Sequence, residues 1–332
     1  MMFPGDGCIS FRRPGLTLLV AFVLFLQQSC KTAVESCIYD PVNSNVRNFP
    51  VLRNHKVTGI NVAGGMFTGL LEFTPPEYNR GDTSRLYPLI IYFHGREARG
   101  TGNATDLCKI LWDGITGTGS SLPPLIEGNG FPEVVKSAGK LYSFIVLSPQ
   151  FRAYDYPKDF PSVNEVDAFI DYAVTNYRVD RSRVYLTGMS TGANMVIEYA
   201  ASKKSFGKIA AISTASLCDS MTIRTNLDND INAANLASNG HGVWLMHCVQ
   251  DERCSFSISK EWYTNFRKLG GQGSRFTMFD DSSADPEMRC ARYEHNTWYR
   301  MYDTNFRVEG SNLYEWFLKF TCKPGAPTVY AP

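Results

Sequence analysis

Short apolar segments alternate with amphipathic segments from residue 87 onward, and this alternation constrains the fold more than any other feature of the chain. The apolar runs predict strands over 87–93, 143–147, 183–187, 209–213, 243–246 and 275–279. Amphipathic segments between and after them predict helices over 163–177, 193–202, 257–269 and 312–320. Such alternation is typical of a mainly parallel sheet with helices on both faces, so we predict an α/β fold.

Two local signals mark where these elements begin. Ser162 and Glu165 form the sequence pattern of a capping box in front of the 163–177 helix. Near the start of the domain, extended segments over 55–62 and 67–73 flank a glycine-rich turn and predict a hairpin.

The N-terminus has the three parts of a signal peptide. Arg12 and Arg13 precede an apolar run over 16–26, and a polar exit follows at 27–29. The run is too short to span a bilayer, so we predict export. We divide the chain into a signal peptide (1–29), a tether or cap (30–54), a principal domain (55–322) and a C-terminal tail (323–332).

Cys30 directly follows the polar exit and resembles the lipid-modified cysteine of bacterial lipoproteins. A lipid there would tether the protein to a membrane surface. Gln27 and Gln28 depart from the strict lipoprotein pattern. With an unmodified Cys30, eight cysteines remain after cleavage, an even number that an oxidising compartment can pair; with a lipid, seven remain.

Several classes of partner and cofactor are not indicated by the sequence. The formal net charge of +1 comes from scattered residues, so we expect no nucleic-acid partner. The cysteines lack the spacing of a zinc site, and we expect no metal. Gly117 and Gly119 lack the third glycine of a dinucleotide-binding loop, so no nicotinamide or flavin is expected.

The segment Gly188-Met-Ser-Thr-Gly192 lies between a predicted strand and a predicted helix. A serine in such a sharp turn projects its hydroxyl above the sheet, and small flanking residues let the strand and the helix approach each other. Ser190 is therefore the candidate nucleophile.

A serine hydroxyl needs a base within hydrogen-bonding distance and a third group that orients the base. Of the five histidines, His295 lies on a loop after the last predicted strand of the alternating region and is the preferred base. Asp251 follows the 243–246 strand and is the preferred acid, with Glu252, Asp285 and Glu294 as alternatives.

An oxyanion would need backbone N–H donors beside the nucleophile. We assign this role to the N–H groups of Thr191, which follows Ser190, and of Arg96, which follows the strand over 87–93 and the pair His94-Gly95.

The segments 87–95, 180–192, 243–251 and 295–302 resemble the conserved blocks of secreted α/β-hydrolases. The most similar group contains the dienelactone-hydrolase-like, polyhydroxybutyrate-depolymerase-like and feruloyl-esterase-like enzymes. The resemblance implies the α/β-hydrolase fold, with 55–322 as the catalytic domain. It also implies cofactor-free cleavage of carboxylic esters, on polysaccharide-linked or polyester substrates, through an acyl-enzyme on Ser190 with Asp251 and His295. Cys248, Thr191 and the 96–98 loop depart from the group's pattern and leave the substrate open.

Two alternatives and two finer predictions accompany this interpretation. The alternatives are a serine peptidase similar to prolyl oligopeptidases and a non-catalytic binding protein on the same scaffold. Trp298 and Tyr154 are candidate substrate-binding aromatics, although such residues also serve as packing. Cys254 and Cys290 lie near the acid and the base in sequence, which predicts a disulfide between them unless both are buried thiols.

Overall fold

The computed structural model describes residues 37, 49, 51–80, 82–112, 120–152, 160–218, 229–271, 273–291 and 293–330. Its strands are β1 (Lys56–Gly59), β2 (Phe67–Phe73), β3 (Tyr87–Phe93), β4 (Val135–Ser137), β5 (Lys140–Tyr142), β6 (Ile145–Phe151), β7 (Val179–Met189), β8 (Ala211–Ala215), β9 (Gly242–Cys248), β10 (Arg275–Phe279), β11 (Phe320–Lys323) and β12 (Ala326–Tyr330). Its helices are α1 (Ala104–Trp112), α2 (Leu122–Glu127), α3 (Val163–Asn176), α4 (Thr191–Ala200), α5 (Asn229–Asn239), α6 (Phe256–Lys268), α7 (Trp298–Met301) and α8 (Leu313–Phe317).

The central sheet has the strand order β1-β2-β6-β3-β7-β8-β9-β10 in the described part of the chain. The first three strands pair antiparallel, which includes the predicted hairpin, and all pairs from β6 to β10 are parallel. The prediction of a mainly parallel sheet is confirmed. Parallel strands bring their carboxyl ends to one edge, where the loops after β3, β7, β8 and β9 meet.

Helices cover both faces of this sheet. Successive residues of β3 point to opposite sides, so Leu89 and Ile91 belong to one apolar cluster while Ile90 and Tyr92 belong to the other. Helices α3, α4 and α6 pack into the first cluster, and α1, α7 and α8 pack into the second. Strands β3, β6 and β9 are buried along their whole length, as expected for strands covered on both faces.

The predicted capping box is present at the start of α3. The Ser162 hydroxyl accepts a hydrogen bond from the Glu165 N–H, and the Glu165 carboxylate accepts one from the Ser162 N–H at 2.7 Å. These bonds satisfy two backbone donors that the first turn of a helix leaves unpaired.

Some elements differ from the sequence-based expectation. Strand β6 continues to Phe151 although 148–150 is polar in sequence, because Gln150 is fully buried and bonds to the 98–106 loop. The segment 323–332, which we expected to be a tail, contributes β12, which pairs with β11. Helices α1 and α2 lie in the stretch 96–130, where the sequence predicted no regular element.

Three of the sequence-based predictions fall outside the described residues: the signal peptide over 1–29, the lipid attachment at Cys30 and the substrate contact by Tyr154. Among the described helices, none has the length and hydrophobicity required to cross a membrane.

Candidate active site

Ser190 lies in the turn between β7 and α4 with φ 53° and ψ −123°. Non-glycine residues rarely adopt a positive φ, and such strain is concentrated at functional positions. The Ser190 N–H donates to the carbonyl oxygen of Ala215 at the end of β8, at 2.9 Å, which fixes the turn. The side chain therefore stands at the carboxyl edge of the sheet.

The two flanking glycines allow this turn to form. A Cβ at Gly192 would overlap the carbonyl oxygen of Phe93 at the end of β3, and one at Gly188 would lie 2.6 Å from the carbonyl oxygen of Gly192. Both obstacles are backbone atoms, which side-chain rearrangement cannot relieve. Any larger residue at these positions would move α4, and Ser190 with it.

The structure brings Ser190, His295 and Asp251 into one hydrogen-bonded chain. His295 Nδ1 lies 2.8 Å from Asp251 Oδ2, and its Nε2 lies 3.0 Å from Ser190 Oγ. A carboxylate only accepts hydrogen bonds, so Nδ1 carries the proton and Nε2 is the acceptor that faces the serine hydroxyl. This arrangement suits removal of the hydroxyl proton by the imidazole.

Asp251 is 7% exposed and its two oxygens have four donors. The N–H groups of Arg253 and Cys254 donate to Oδ1 at 2.9 and 3.0 Å. Burial by itself raises the pKa of Asp251, but hydrogen bonds from His247 and His295, the charge of His295 and the Cys254 N–H outweigh it and hold the pKa well below its usual range. The carboxylate is therefore ionised at neutral pH.

His247 is a second histidine on Asp251, and our sequence analysis did not select it. Its Nε2 lies 3.2 Å from Asp251 Oδ2 and 3.0 Å from the Cys254 carbonyl oxygen, while its Nδ1 lies 2.7 Å from Ser259 Oγ on α6. Two acceptors face Nε2, so that nitrogen carries the proton and Nδ1 accepts from the serine hydroxyl. The four-residue spacing between His247 and Asp251 was the available signal.

The loop that carries His295 is held by Ser216, which follows β8. Ser216 has φ 52°, and its hydroxyl lies 2.7 Å from both the His295 carbonyl oxygen and Thr297 Oγ1. Sequence analysis gave no indication of this contact, because Ser216 and His295 lie on separate loops.

The predicted disulfide between Cys254 and Cys290 is wrong. Cys254 pairs with Cys218, and Cys290 pairs with Cys248. The sheet order explains the difference. Cys218 follows β8, the strand next to β9, and reaches Cys254 on the loop that carries Asp251. Cys290 is close to the end of β10, whose Phe279 pairs with Cys248 of β9. A third disulfide joins Cys37 to Cys108 on α1, and Cys322 is a buried free thiol.

The residues predicted to donate to an oxyanion lie beside Ser190. Thr191 is the first residue of α4, and Arg96 follows Gly95, whose Cβ position is 3.6 Å from the Ser190 Cβ. The Arg96 side chain is exposed. The partial positive charge at the start of α4 favours an anion at this place.

Trp298, one of the two predicted substrate-binding aromatics, is buried beside His295. It is 2% exposed and packs edge-on against His295, with ring centroids 5.4 Å apart. As the first residue of α7, it faces the core and supports the imidazole.

Several solved structures are similar to this chain at low sequence identity. A thermostable esterase aligns with a TM-score of 0.55 at 15% identity, over 82% of this chain and 64% of that one. A carboxylesterase from Lactobacillus plantarum WCFS1 aligns at 0.48 and 13% identity, over 69% and 83% of the two chains. An acylaminoacyl peptidase from Pyrococcus horikoshii aligns at 0.46 and 12% identity, over 80% and 44%.

Neither a protein-family model nor a curated protein sequence matches the chain. The likeness to the thermostable esterase, together with the sheet order, shows that the chain has the α/β-hydrolase fold, as the sequence resemblance implied. The chain spans 64% of the length of that esterase.

Proposed function

We propose that the protein is an exported serine hydrolase that cleaves carboxylic esters through an acyl-enzyme on Ser190. The observation that carries this proposal is the hydrogen-bonded chain from Ser190 Oγ through His295 to Asp251, at 3.0 and 2.8 Å. Nucleophile, base and orienting acid come from three loops at one edge of the sheet, in the chain order found in α/β-hydrolases.

In the first step, His295 Nε2 takes the Ser190 proton while Oγ attacks the ester carbonyl carbon. Asp251 keeps the imidazole oriented and stabilises the imidazolium that forms. The carbonyl oxygen becomes an oxyanion that accepts hydrogen bonds from the N–H groups of Thr191 and Arg96. His295 then protonates the departing alcohol, and the acyl group stays on Ser190.

In the second step, water attacks the acyl-enzyme and His295 accepts its proton. The bond between the acyl carbon and Ser190 Oγ then breaks, His295 returns the proton to Oγ, and the acid product leaves. These two steps need no metal or organic cofactor, because the imidazole supplies the proton transfers.

Export is part of the proposal. The signal-like sequence over 1–29 supports it, and so do the three disulfides among the described residues, since disulfides persist in oxidising compartments. We propose a secreted, periplasmic or lipid-anchored enzyme. In the anchored form, Cys30 would carry the lipid. In every form, the proposed substrate is an ester on a polysaccharide or a polyester.

The experiment is labelling of the mature protein, residues 30–332, with a fluorophosphonate probe beside a Ser190→Ala control. A panel of p-nitrophenyl esters, feruloyl esters and a peptide amide then follows. We expect labelling of the wild type alone, with turnover of esters. Amide turnover above ester turnover would instead indicate a peptidase, and a folded protein without labelling would indicate a binding protein.

A further inference from the structure

The Cys218–Cys254 disulfide lies within the candidate active site. Cys218 Sγ is 3.5 Å from Ser190 Oγ, and Cys254 donates its N–H to Asp251. The ligand-capable atoms of Cys218, Cys254 and His295 all lie within 4.8 Å of one another. Within the described residues, no other group of three histidine, cysteine or acidic side chains has this arrangement.

We propose that this disulfide conceals a metal site: once it is reduced, Cys218, Cys254 and His295 bind a thiophilic divalent cation such as Zn²⁺. Two thiolates and one imidazole nitrogen are ligands that zinc prefers, at distances of about 2.3 Å for sulfur and about 2.0 Å for nitrogen. The fourth position of the tetrahedron is left for water. The sequence did not indicate this site, because its ligands come from three separate loops.

The hydrogen bond between His295 and Asp251 prepares the imidazole for a metal. His295 Nδ1 donates to the carboxylate at 2.8 Å, so the lone pair is on Nε2, which faces Ser190 at 3.0 Å and is the ring nitrogen that could bind a metal. Histidines that bind zinc in proteins usually donate their other N–H to a carboxylate or carbonyl in this way. The orientation that serves catalysis is therefore the one that serves metal binding.

The reduction step is ordinary thiol–disulfide exchange with a dithiol. A thiolate of the reductant attacks Cys218 Sγ, because Cys218 is the more exposed partner, and Cys254 leaves as a thiolate. The second thiolate of the reductant then closes its own cyclic disulfide and releases Cys218. Two electrons pass to the protein, and Zn²⁺ displaces the protons of the two thiols when it binds.

The occupied site would abolish the proposed hydrolase activity. The Nε2 lone pair that must accept the Ser190 proton would be donated to the metal. Only this inhibitory consequence rests on the proposed function; metal binding itself depends on the three ligands alone.

The experiment uses the full mature chain, reduced with a dithiol and freed of it under anaerobic conditions. Co²⁺ serves as the spectroscopic probe, since thiolate ligands give an intense near-ultraviolet charge-transfer band. We expect the reduced wild type to bind one Co²⁺ with this band, and the oxidised protein to show none. Zn²⁺ should then inhibit the reduced enzyme alone, and a chelator should restore its turnover.

Two variants control for the other cysteines. Cys218→Ser/Cys254→Ser removes two of the three proposed ligands and leaves every other cysteine in place, so after the same reduction it should lose the charge-transfer band. Asp251→Asn keeps all three ligands and should weaken Co²⁺ binding by about 10- to 100-fold, the usual effect of removing a partner of a metal-bound histidine. It can be folded with its disulfide intact and reduced afterwards, so its result does not depend on the stability of the double variant.

Equal Co²⁺ spectra in the reduced wild type and the double variant would overturn the proposal. So would loss of the far-ultraviolet circular dichroism of the wild type on reduction, because a preformed site would then not exist. If the protein turns over no ester at all, the proposed function fails while the Co²⁺ spectrum still decides the metal site.

Discussion

Asp251 is the most heavily bonded side chain of the site. Two backbone N–H groups donate to its Oδ1, and the imidazoles of His295 and His247 both contact its Oδ2. His247 is fully buried and is itself fixed by Ser259. This places His247 as a positioning residue that holds the carboxylate toward His295.

We expect His247→Phe to lower ester turnover about 10- to 100-fold. A hydrogen bond to a charged group contributes about 1.5–3 kcal/mol, and its loss would let the carboxylate turn away from His295. The loss should appear in kcat, with KM little changed, because His247 is fully buried and acts on the site through Asp251.

His247→Gln is the matched control, because its amide can still donate to Asp251 and should restore part of kcat. Equal losses in both variants would show that His247 acts only through packing.

Among the individual residues of the candidate site, the sequence predicted those whose position follows from chain order and missed those whose contacts depend on how the loops fold. Ser190, Asp251 and His295 were selected because their order and their positions after strands are visible in the sequence. The pairing of Cys254 and the contact between His247 and Asp251 depend on how the turn after β9 folds back. Cys254 is close in sequence to Asp251 and Cys290 to His295, yet each of these cysteines pairs with a different partner.

Among the elements, the close packing of β3, β7 and α4 sets the position of Ser190. The sequence predicted the strands and the helices around it from their apolar periodicity. It underestimated β6, because buried polar residues such as Gln150 interrupt that periodicity while their hydrogen bonds are satisfied inside.

Gly192→Ala should destabilise the protein by about 3 kcal/mol, since the added methyl group would overlap the Phe93 carbonyl oxygen and force α4 away from β3. Chemical denaturation measures the stability, and the rate of fluorophosphonate labelling measures the displacement of Ser190. Both should fall.

Gly59→Ala in β1 is the matched control, because nothing lies within 4 Å of its Cβ position. We expect its free energy of unfolding to change by less than about 0.5 kcal/mol. A similar loss in both variants would argue against the close approach as the cause.

Across the whole molecule, two buried neutral histidines couple folding to pH. Burial lowers the pKa of His94 and of His241 to about 3. His94 accepts the Phe151 N–H and donates to the Gly95 carbonyl oxygen, while His241 contacts Ser205. The unfolded chain, with histidine pKa near 6.5, binds protons that the folded chain does not, so stability falls as pH drops from about 6.5 toward 3.

Protonation of His241 in the unfolded chain should lower the free energy of unfolding of the wild type by about 2 kcal/mol between pH 7 and pH 5. Urea unfolding at both pH values measures it. His241→Gln does not titrate and should show a correspondingly smaller difference between the two pH values. An unchanged difference would mean that His241 stays neutral in both states or is charged in both.

The overall architecture was the most predictable part, because a sheet buried on both faces needs near-continuous apolar strands that stand out in the sequence. The α/β fold and the mainly parallel sheet followed from this. The loops were not predictable in the same way. Their contacts, such as Ser216 with His295, join distant parts of the chain through single hydrogen bonds that leave no periodic pattern.

The positive φ of Ser190 makes the protein less stable than it would be with glycine at this position. A side chain held in this conformation costs about 1–3 kcal/mol, and glycine would adopt it without that strain. A library screened for thermal stability alone would therefore enrich Ser190→Gly, a variant that is more stable than its parent and lacks the proposed nucleophile. Any programme to make this protein more robust should keep residue 190 fixed and select for turnover in every round.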